Sequence, residues 1–311
     1  FNKIYQLYAR AQDSVEMKEA VWLMMPDLIG CLLGAPPNVE MTNASTTQLC
    51  GLSGEWSSEA FDLIDWPMPS LPVLPPGRII TEFEGARLVS CASHDTASAV
   101  FGMGPIDDDV AFMSVGTWSL IGCLLDEPNL SDPGFTNERA IDGRIRYLAN
   151  VPGFYVVNRV HQELGIEGSV SEWLASGTPD VKDYPDLMDS RFFNPVSMCE
   201  ALGQADSPKA WASVALGAIA QTSSRQLKKL ELNTGRKFRE LRASGGGSES
   251  AIFCQTLANA TGIPVLAGPK EATVLGNLAC QFFADGRVKS LDQAAQIARN
   301  SFELKRFEPI T

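Results

Sequence analysis

The sequence predicts an α/β fold, and three observations carry the prediction. Between 208 and 283 a long apolar helix, a strand, a glycine turn, a helix, a second strand and a further helix follow one another. Such alternation marks an α/β layer. Two apolar runs, Arg87–Ala92 and Val110–Val115, each end in a polar tetrapeptide, Ser93-His94-Asp95-Thr96 and Gly116-Thr117-Trp118-Ser119. The carboxyl ends of strands are where α/β proteins place their sites. Finally, the chain has 311 residues, 45% hydrophobic and 20% charged, enough for one large domain or two. That composition excludes a disordered or fibrous chain.

The elements follow in order. Ile4, Leu7, Tyr8 and Ala11 recur at helical spacing, and the apolar run Val21–Leu33 makes residues 3–34 two helices. Gly34 with Pro36-Pro37 ends the second. Thr42–Thr47 is a polar, cap-rich segment before the short apolar stretch Gln48–Leu52. Five prolines in the eleven residues 66–76 make an extended surface connection. Arg87–Ala92 reads as a compact buried strand, and the small residues Ala97–Val100 open a helix. Val110–Val115 is a strand, and Leu120–Leu125 continues apolar. A strand, a Pro152-Gly153 turn and a helix fill 145–164, and 166–206 reads as irregular, acidic surface. Residues 208–232 form an amphipathic helix with Trp211, Val214, Ala215, Ala218, Ile219, Thr222, Leu227 and Leu230 on one face. Phe238–Ala243 is a strand, Ser248 to Ala260 a helix, Pro264–Ala267 a strand and Glu271–Phe283 a helix. The small residues around Gly276 suit this last helix to close packing on a neighbour.

Charge and cysteine content narrow the function class. With Lys+Arg 25 against Asp+Glu 37 the net charge is −12, which argues against nucleic acid and against an anionic membrane as partners. It leaves small phosphate-bearing ligands open, because local loops bind them whatever the global charge. The seven cysteines form no CxxC pair, and His94 and His161 are the only histidines. A zinc site or a disulfide framework is therefore not expected; buried, reduced thiols in a cytoplasmic protein are. The longest apolar runs, such as Ala20–Met25, are too short to span a bilayer, and no signal-peptide pattern opens the chain.

Four segments can carry chemistry. In Ser93-His94-Asp95-Thr96 an aspartate at a strand end can accept a proton from a bound alcohol; equally, Ser93, Asp95 or Thr96 could cap the helix that follows. A Ser–His–Asp hydrolase is disfavoured, since the three are adjacent and no GxSxG elbow exists. Gly116-Thr117 lets backbone and hydroxyl approach an anion, or is only a hairpin turn. Gly245-Gly246-Gly247 stands between a strand and a helix N-terminus, fit for a phosphate or an adenosine, or simply for a tight turn. Neither GxxxxGK[ST] nor GxGxxG occurs. Gly268–Thr273 reads as a structural turn and helix start, and His161 as a surface or packing histidine.

Together these segments resemble the FGGY carbohydrate kinases, most closely the branch acting on L-rhamnulose. The resemblance rests on Phe1–Leu7, Met25-Pro26-Asp27, Thr42–Leu49, Ser93–Val100, Gly116–Leu120, Gly245–Ser248, Ala267–Thr273 and Leu275-Gly276-Asn277, in family order over nearly the whole chain. It implies two actin-like (ribonuclease-H-like) ATPase domains with a cleft between them, the first incomplete at its N-terminus. Residues 1–99 would be the C-terminal part of the first, sugar-side domain, and 100–311 the second, nucleotide-side domain. It further implies Asp95 as general base, His94, Asp95, Thr96 and Asn150 as ketose contacts, and Thr117, Gly246 and Gly247 as nucleotide contacts. Asn158 stands where the family has a nucleotide-contacting Gln. ATP and Mg²⁺ would be used, with unknown metal ligands and an open oligomeric state, to phosphorylate a primary hydroxyl, O1 of L-rhamnulose. L-Fuculose, L-xylulose or another ketose, and a non-catalytic sugar sensor, remain alternatives. Two stretches depart from the family: Glu249-Ser250 replaces a Gln-Asn pair, and Asn137-Glu138-Arg139-Ala140 an Asn-Glu-Gly-Gly stretch.

Overall fold

A computed structural model describes residues 2–13, 22–178 and 182–310; Phe1, Ala20 and Val21 of the expectations above lie outside them. In chain order the elements are α1 (Lys3–Asp13), α2 (Met25–Leu32), β1 (Val39–Glu40), α3 (Met41–Ala44), α4 (Ser58–Leu63), β2 (Val73–Leu74), β3 (Arg78–Phe83), β4 (Ala86–Ser90) and α5 (Asp95–Gly102). Then follow β5 (Val110–Val115), β6 (Trp118–Leu125), β7 (Thr136–Arg139), β8 (Ile145–Pro152), α6 (Phe154–Glu163), α7 (Val170–Ala175), α8 (Met198–Leu202) and α9 (Pro208–Thr234). The chain closes with β9 (Glu240–Ser244), α10 (Ala251–Thr261), β10 (Val265–Ala267), α11 (Ala272–Ala284), α12 (Leu291–Asn300) and β11 (Lys305–Phe307).

Seven strands form one mixed sheet in the order β11-β10-β9-β5-β6-β8-β7. Its β10, β9 and β5 run parallel, so the residues leaving them, Gly268, Gly245 and Gly116, share one edge. Alternate residues of β5 serve opposite faces: Ala111, Met113 and Val115 join the core shared with α6, α7, α9 and α10, whereas Val110 and Phe112 pack with Val100 and Met103 around α5. Helices thus cover both faces, which is why Val110–Val115 is apolar at every position but Ser114. Among the described residues before 92 the strands form two-stranded sheets alone, β1 with β2 and β3 with β4. A separate small core of Leu7, Leu49, Phe61, Ile64 and Trp66 stands there.

Several expectations need correction. Arg87–Ala92 is not a buried strand: β4 pairs only with β3, and its side chains are half-buried or exposed because no second layer covers them. Residues 166–206 are not mere surface. Short α7 and α8 form there, and Trp173, Leu174, Leu187, Phe192 and Met198 plug the main core. Helix α9 is buried well beyond one face, with Ala212, Leu216, Ala220, Ser223 and Gln226 also covered, because α6, α7 and α10 pack around it. All seven cysteines are free thiols, but only Cys123, Cys254 and Cys280 are buried; Cys31, Cys50, Cys91 and Cys199 are half-buried. His161 packs on Trp173, with ring centroids 5.4 Å apart. Among the described residues, no helix is long and apolar enough to cross a membrane.

One packing feature positions the site. Helices α5 and α11 cross with backbone against backbone. A Cβ on Gly102 would lie 2.0 Å from the Ala272 carbonyl oxygen, and one on Gly276 would lie 1.9 Å from that of Ser98.

Candidate active site

The turn Ser93–Thr96 is held from below by a carboxylate that sequence reading passed over. Glu40 is buried, and its Oε1 accepts from the Thr42 backbone N–H (2.7 Å). Its Oε2 accepts from Thr42 Oγ1 (2.5 Å), Asn43 N–H (3.3 Å), Ser93 N–H (2.9 Å) and Ser93 Oγ (2.7 Å). Five donors on one carboxylate satisfy the buried charge and fasten α3 to the turn. Thr42 Oγ1 in turn accepts from the His94 N–H at 3.3 Å. Ser93 is therefore spent on Glu40, and none of Ser93, Asp95 or Thr96 caps α5. The N-cap residue is His94, and its side chain makes no cap bond.

Asp95 opens α5 with its side chain 81% exposed. Its Oδ1 accepts from the Thr96 N–H at 2.6 Å and the Thr96 hydroxyl at 3.3 Å, so Thr96, itself buried, is turned onto Asp95. A carboxylate at a helix N-terminus is favoured by the dipole there. His94 is half-buried. Its Nε2 lies 4.0 Å from Asp95 Oδ1, and its Nδ1 lies 3.4 Å from Nη2 of Arg146 on β8. Arg146 is fully buried and pairs with Glu138 of β7 at 3.0 Å. Burial, then the Arg146 charge, hold the His94 pKa below its ordinary value; Glu138 and Asp95 oppose them.

Beside this turn a cavity of about 320 Å³ is lined by Asp27, Asn38, Glu40, Ser93, Asp95 and Thr273, among others. Thr273, in the first turn of α11, donates its hydroxyl to the Asp95 carbonyl at 3.3 Å. Asp27 Oδ1 accepts from the Glu40 N–H at 3.2 Å, while its Oδ2 is buried without a hydrogen-bond partner. Burial pushes Asp27 up from 3.8 to about 7, with the Glu40 charge adding to the rise and that N–H opposing it. The folded protein thus keeps a proton on Asp27 that the unfolded chain releases near pH 3.8, and stability falls as pH rises from there to about 7. Asp27→Asn removes this pH dependence. Its Tm, measured in pH steps, is expected to rise relative to the native protein as pH increases through that window; a constant difference would show that Asp27 ionises normally.

The second group of expected residues meets at the common edge of β5, β9 and β10. Gly116-Thr117 is indeed the hairpin between β5 and β6. The Thr117 carbonyl accepts from Gly153 N–H (3.2 Å) and Tyr155 N–H (2.9 Å), which straps the start of α6 to the hairpin. In the glycine loop a Cβ on Gly247 would lie 2.3 Å from Val115 Cγ1, and Gly245 has φ +88° with Val115 O 2.7 Å from its virtual Cβ. These two glycines serve the tight turn. Gly246 differs: nothing stands within 4 Å of its virtual Cβ. Ser250 caps α10 through Phe253 N–H at 3.4 Å, and Glu249 is paired with Lys270 at 2.9 Å. The departure at 249–250 thus leaves the loop capped and its acid neutralised.

Asn150 lies on β8 four residues beyond Arg146 and hence on the same face, toward the Thr117 hairpin; its Oδ1 is buried without a hydrogen-bond partner. Asn158 is exposed on α6, one turn past the strapped Tyr155, and among the described residues no hydrogen bond or ion pair ties it to the other site residues. At the other departure, Arg139 donates to Leu52 O (2.6 Å) and Gly143 O (2.9 Å), and its N–H to Ser45 Oγ (2.9 Å), clamping the 45–54 loop to β7. Sequence reading missed Asp27, Glu40, Glu138 and Arg146 as site residues. Only Arg146 carried a signal, a lone charge inside Ile145–Ala149, which must be paired if that strand is buried.

Residues 111–284 match the model of the FGGY family of carbohydrate kinases, C-terminal domain. The chain is 33% identical over 341 residues to the rhamnulokinase of Enterococcus faecalis, covering 100% of this chain and 69% of that one. It is 35% identical to the rhamnulokinase of Pectobacterium carotovorum over 99% of this chain and 67% of that one. Among solved structures, a ligand-bound xylulose kinase from Lactobacillus acidophilus superposes with TM-score 0.79 at 20% identity, over 99% of this chain and 68% of that one. A Plasmodium falciparum glycerol kinase with ADP gives TM-score 0.77 at 16% identity, over 98% and 67%. The fold is accordingly that of two actin-like α/β domains with a cleft between them.

Proposed function

Because the chain belongs to the FGGY family of carbohydrate kinases, we propose that it transfers the γ-phosphoryl group of ATP to O1 of a ketose, L-rhamnulose first among them, with Asp95 as general base. What carries the reading is the placement of Asp95. Asp95 lines the cavity with its carboxylate exposed at the head of α5, and its backbone carbonyl accepts from Thr273 on the helix that leaves the phosphate-side edge.

In the reaction the hydroxyl oxygen attacks the γ-phosphorus as its proton passes to the Asp95 carboxylate. An O–P bond forms, the bond to the β–γ bridging oxygen breaks, and ADP leaves. Such transfer depends mainly on positioning and charge neutralisation. His94 and Asn150 offer polar atoms to the sugar, and Thr96 orients the base. Gly116-Thr117 and Gly246 offer backbone and hydroxyl groups to phosphates or adenosine, and Asn158 belongs to the same proposal as a nucleotide contact. Among the described residues no group of three or more His, Cys, Asp or Glu converges on a metal position. Mg²⁺ bound with the nucleotide would be held largely by phosphate oxygens and water and would supply charge neutralisation. The division into 1–99 and 100–311 belongs to the same proposal. It is supported by the seven-stranded sheet, whose strands all lie after residue 100.

The test is ADP release with Mg·ATP and L-rhamnulose against a no-sugar control, repeated with L-fuculose and L-xylulose. Sugar-dependent release supports a kinase, and the rates rank the ketoses. Binding of a ketose without release from any would make the protein a sensor. The glycine loop has its own test. Gly246→Ala is expected to leave Tm unchanged and raise the KM for ATP several-fold, because a methyl enters the open ligand side, whereas Gly247→Ala is expected to destabilise the fold. An unchanged KM in Gly246→Ala would reduce the loop to a turn.

A further inference from the structure

We infer that Arg146 is a positioning residue that fixes His94 as its Nε2–H tautomer, so that a substrate hydroxyl seated between His94 and Asp95 accepts from the first and donates to the second. The inference rests on the kinase reading for its substrate, but the tautomer itself follows from hydrogen-bond chemistry. A guanidinium only donates. Nη2 of Arg146 lies within hydrogen-bond reach of His94 Nδ1 at 3.4 Å, and it stands 3.0 Å from Glu138 Oε2 as an ion pair without hydrogen-bond alignment. Nδ1 must therefore be bare, and the ring proton of a neutral imidazole stands on Nε2.

Nε2 faces Asp95 Oδ1 across 4.0 Å, too far for a direct bond. An oxygen placed about 2.8 Å from each atom fills that gap. With a donor on one side and a carboxylate on the other, such an oxygen has one polarity available: it accepts from His94 and points its proton at Asp95. The hydroxyl is thereby oriented for transfer to the base, and the His94 donor favours the developing alkoxide. His94 keeps its proton throughout, so Asp95 alone receives one.

The groups facing the ring agree. Arg146 comes from β8, Glu138 from β7 and Asp95 from α5. The two carboxylates favour an imidazolium, while burial and the guanidinium oppose it and prevail. Glu138 also keeps Arg146 in place, since an unpaired buried guanidinium would be costly. This gives the acidic residue at the 137–140 departure a role two steps from the substrate.

The experiment uses the chain's two histidines. Long-range ¹⁵N–¹H spectra of ¹⁵N-histidine-labelled protein are recorded from about pH 8 to pH 5, with His161→Gln assigning the signals. The expected result is a neutral His94 with Nδ1 unprotonated, remaining neutral well below an ordinary histidine. Protonation at Nδ1, or an imidazolium at neutral pH, overturns the inference. This readout needs no turnover, so its failure is distinct from failure of the kinase assignment. Glu138→Gln with Arg146→Met removes both buried charges together and avoids stranding one of them. In that variant His94 is expected to titrate higher and to lose its fixed tautomer. Sugar-dependent kcat/KM is expected to fall about tenfold and to acquire an acid limb at the new His94 pKa. Arg146→Lys, which keeps a donor and a charge, should restore part of the tautomer preference and of kcat/KM. A folded double variant with unchanged tautomer and pH profile would leave Arg146 a purely structural residue and refute the proposal.

Discussion

Asp95→Asn is expected to lower sugar-dependent turnover by about 10²- to 10⁴-fold, the range over which a positioned general base acts, with Tm and sugar affinity nearly unchanged. The structural reason is that Asp95 does little for the fold. Its side chain is 81% exposed, and its hydrogen bonds run to the N–H and hydroxyl of the adjacent Thr96. The carbonyl oxygen of an asparagine still accepts from that N–H, so the head of α5 keeps its shape. What is lost is the capacity to take a proton at that point. Three measurements separate the possibilities: kcat by ADP release, sugar affinity by calorimetry, and a thermal melt. A large fall in kcat with the other two unchanged identifies a base. Turnover within a few-fold of the native protein would place proton acceptance elsewhere and leave Asp95 a binding residue, since phosphoryl transfer draws much of its rate from positioning alone.

The sequence made some of this arrangement legible and hid the rest for physical reasons. Val110–Val115 is plain because a strand covered on both faces is apolar at nearly every position, here at all but Ser114, and its bounds agree with β5. Arg87–Ala92 carries a similar apolar run, yet β4 lies in a two-stranded sheet with no layer over it; composition does not reveal how many neighbours a strand has. The Ser93–Thr96 turn was legible as a cluster of hydroxyls and an acid, and the competing capping explanation fails in the structure because Ser93 is drawn onto Glu40. Glu40 itself was invisible. A carboxylate among Asn38, Val39 and Met41 looks like an ordinary acid, and only the return of residue 93 across fifty positions of chain makes it a hub. Asp27 and Glu138 were hidden in the same way, since each acquires its meaning from a partner distant in sequence or from burial, whereas Arg146 showed as a lone charge within an apolar strand. Gly246 and Gly247 were read as a pair, and spacing could not separate them. Val115 does: it crowds Gly247 and leaves Gly246 open.

Gly276→Ala is expected to destabilise the protein by about 3 kcal/mol, at the upper end of overpacking, although the same change in an exposed helix gains up to about 1 kcal/mol from helix propensity. The sign is decided by the neighbour. The new Cβ would fall 1.9 Å from the carbonyl oxygen of Ser98, a backbone atom of α5 that no rotamer change can move. The helices must separate, and Gly102 facing Ala272 shows that they meet this closely at a second point as well. At this chain length such a loss corresponds to a fall in Tm of roughly 5 °C. The functional consequence follows from where the crossing sits. Ser98 is three residues from Asp95, and Thr273 is three residues from Gly276 and donates to the Asp95 carbonyl. Separating the helices therefore shifts the base relative to the edge that carries Thr117 and Gly246. Misplacement by about 1 Å is enough to lower a rate a hundredfold, so kcat should fall well below the native value at temperatures where the variant is still folded. Melting curves and kcat measured on the same preparation test both halves. A variant as stable as the native protein would mean the helices have room to spare, and one that is destabilised but fully active would uncouple the crossing from the base.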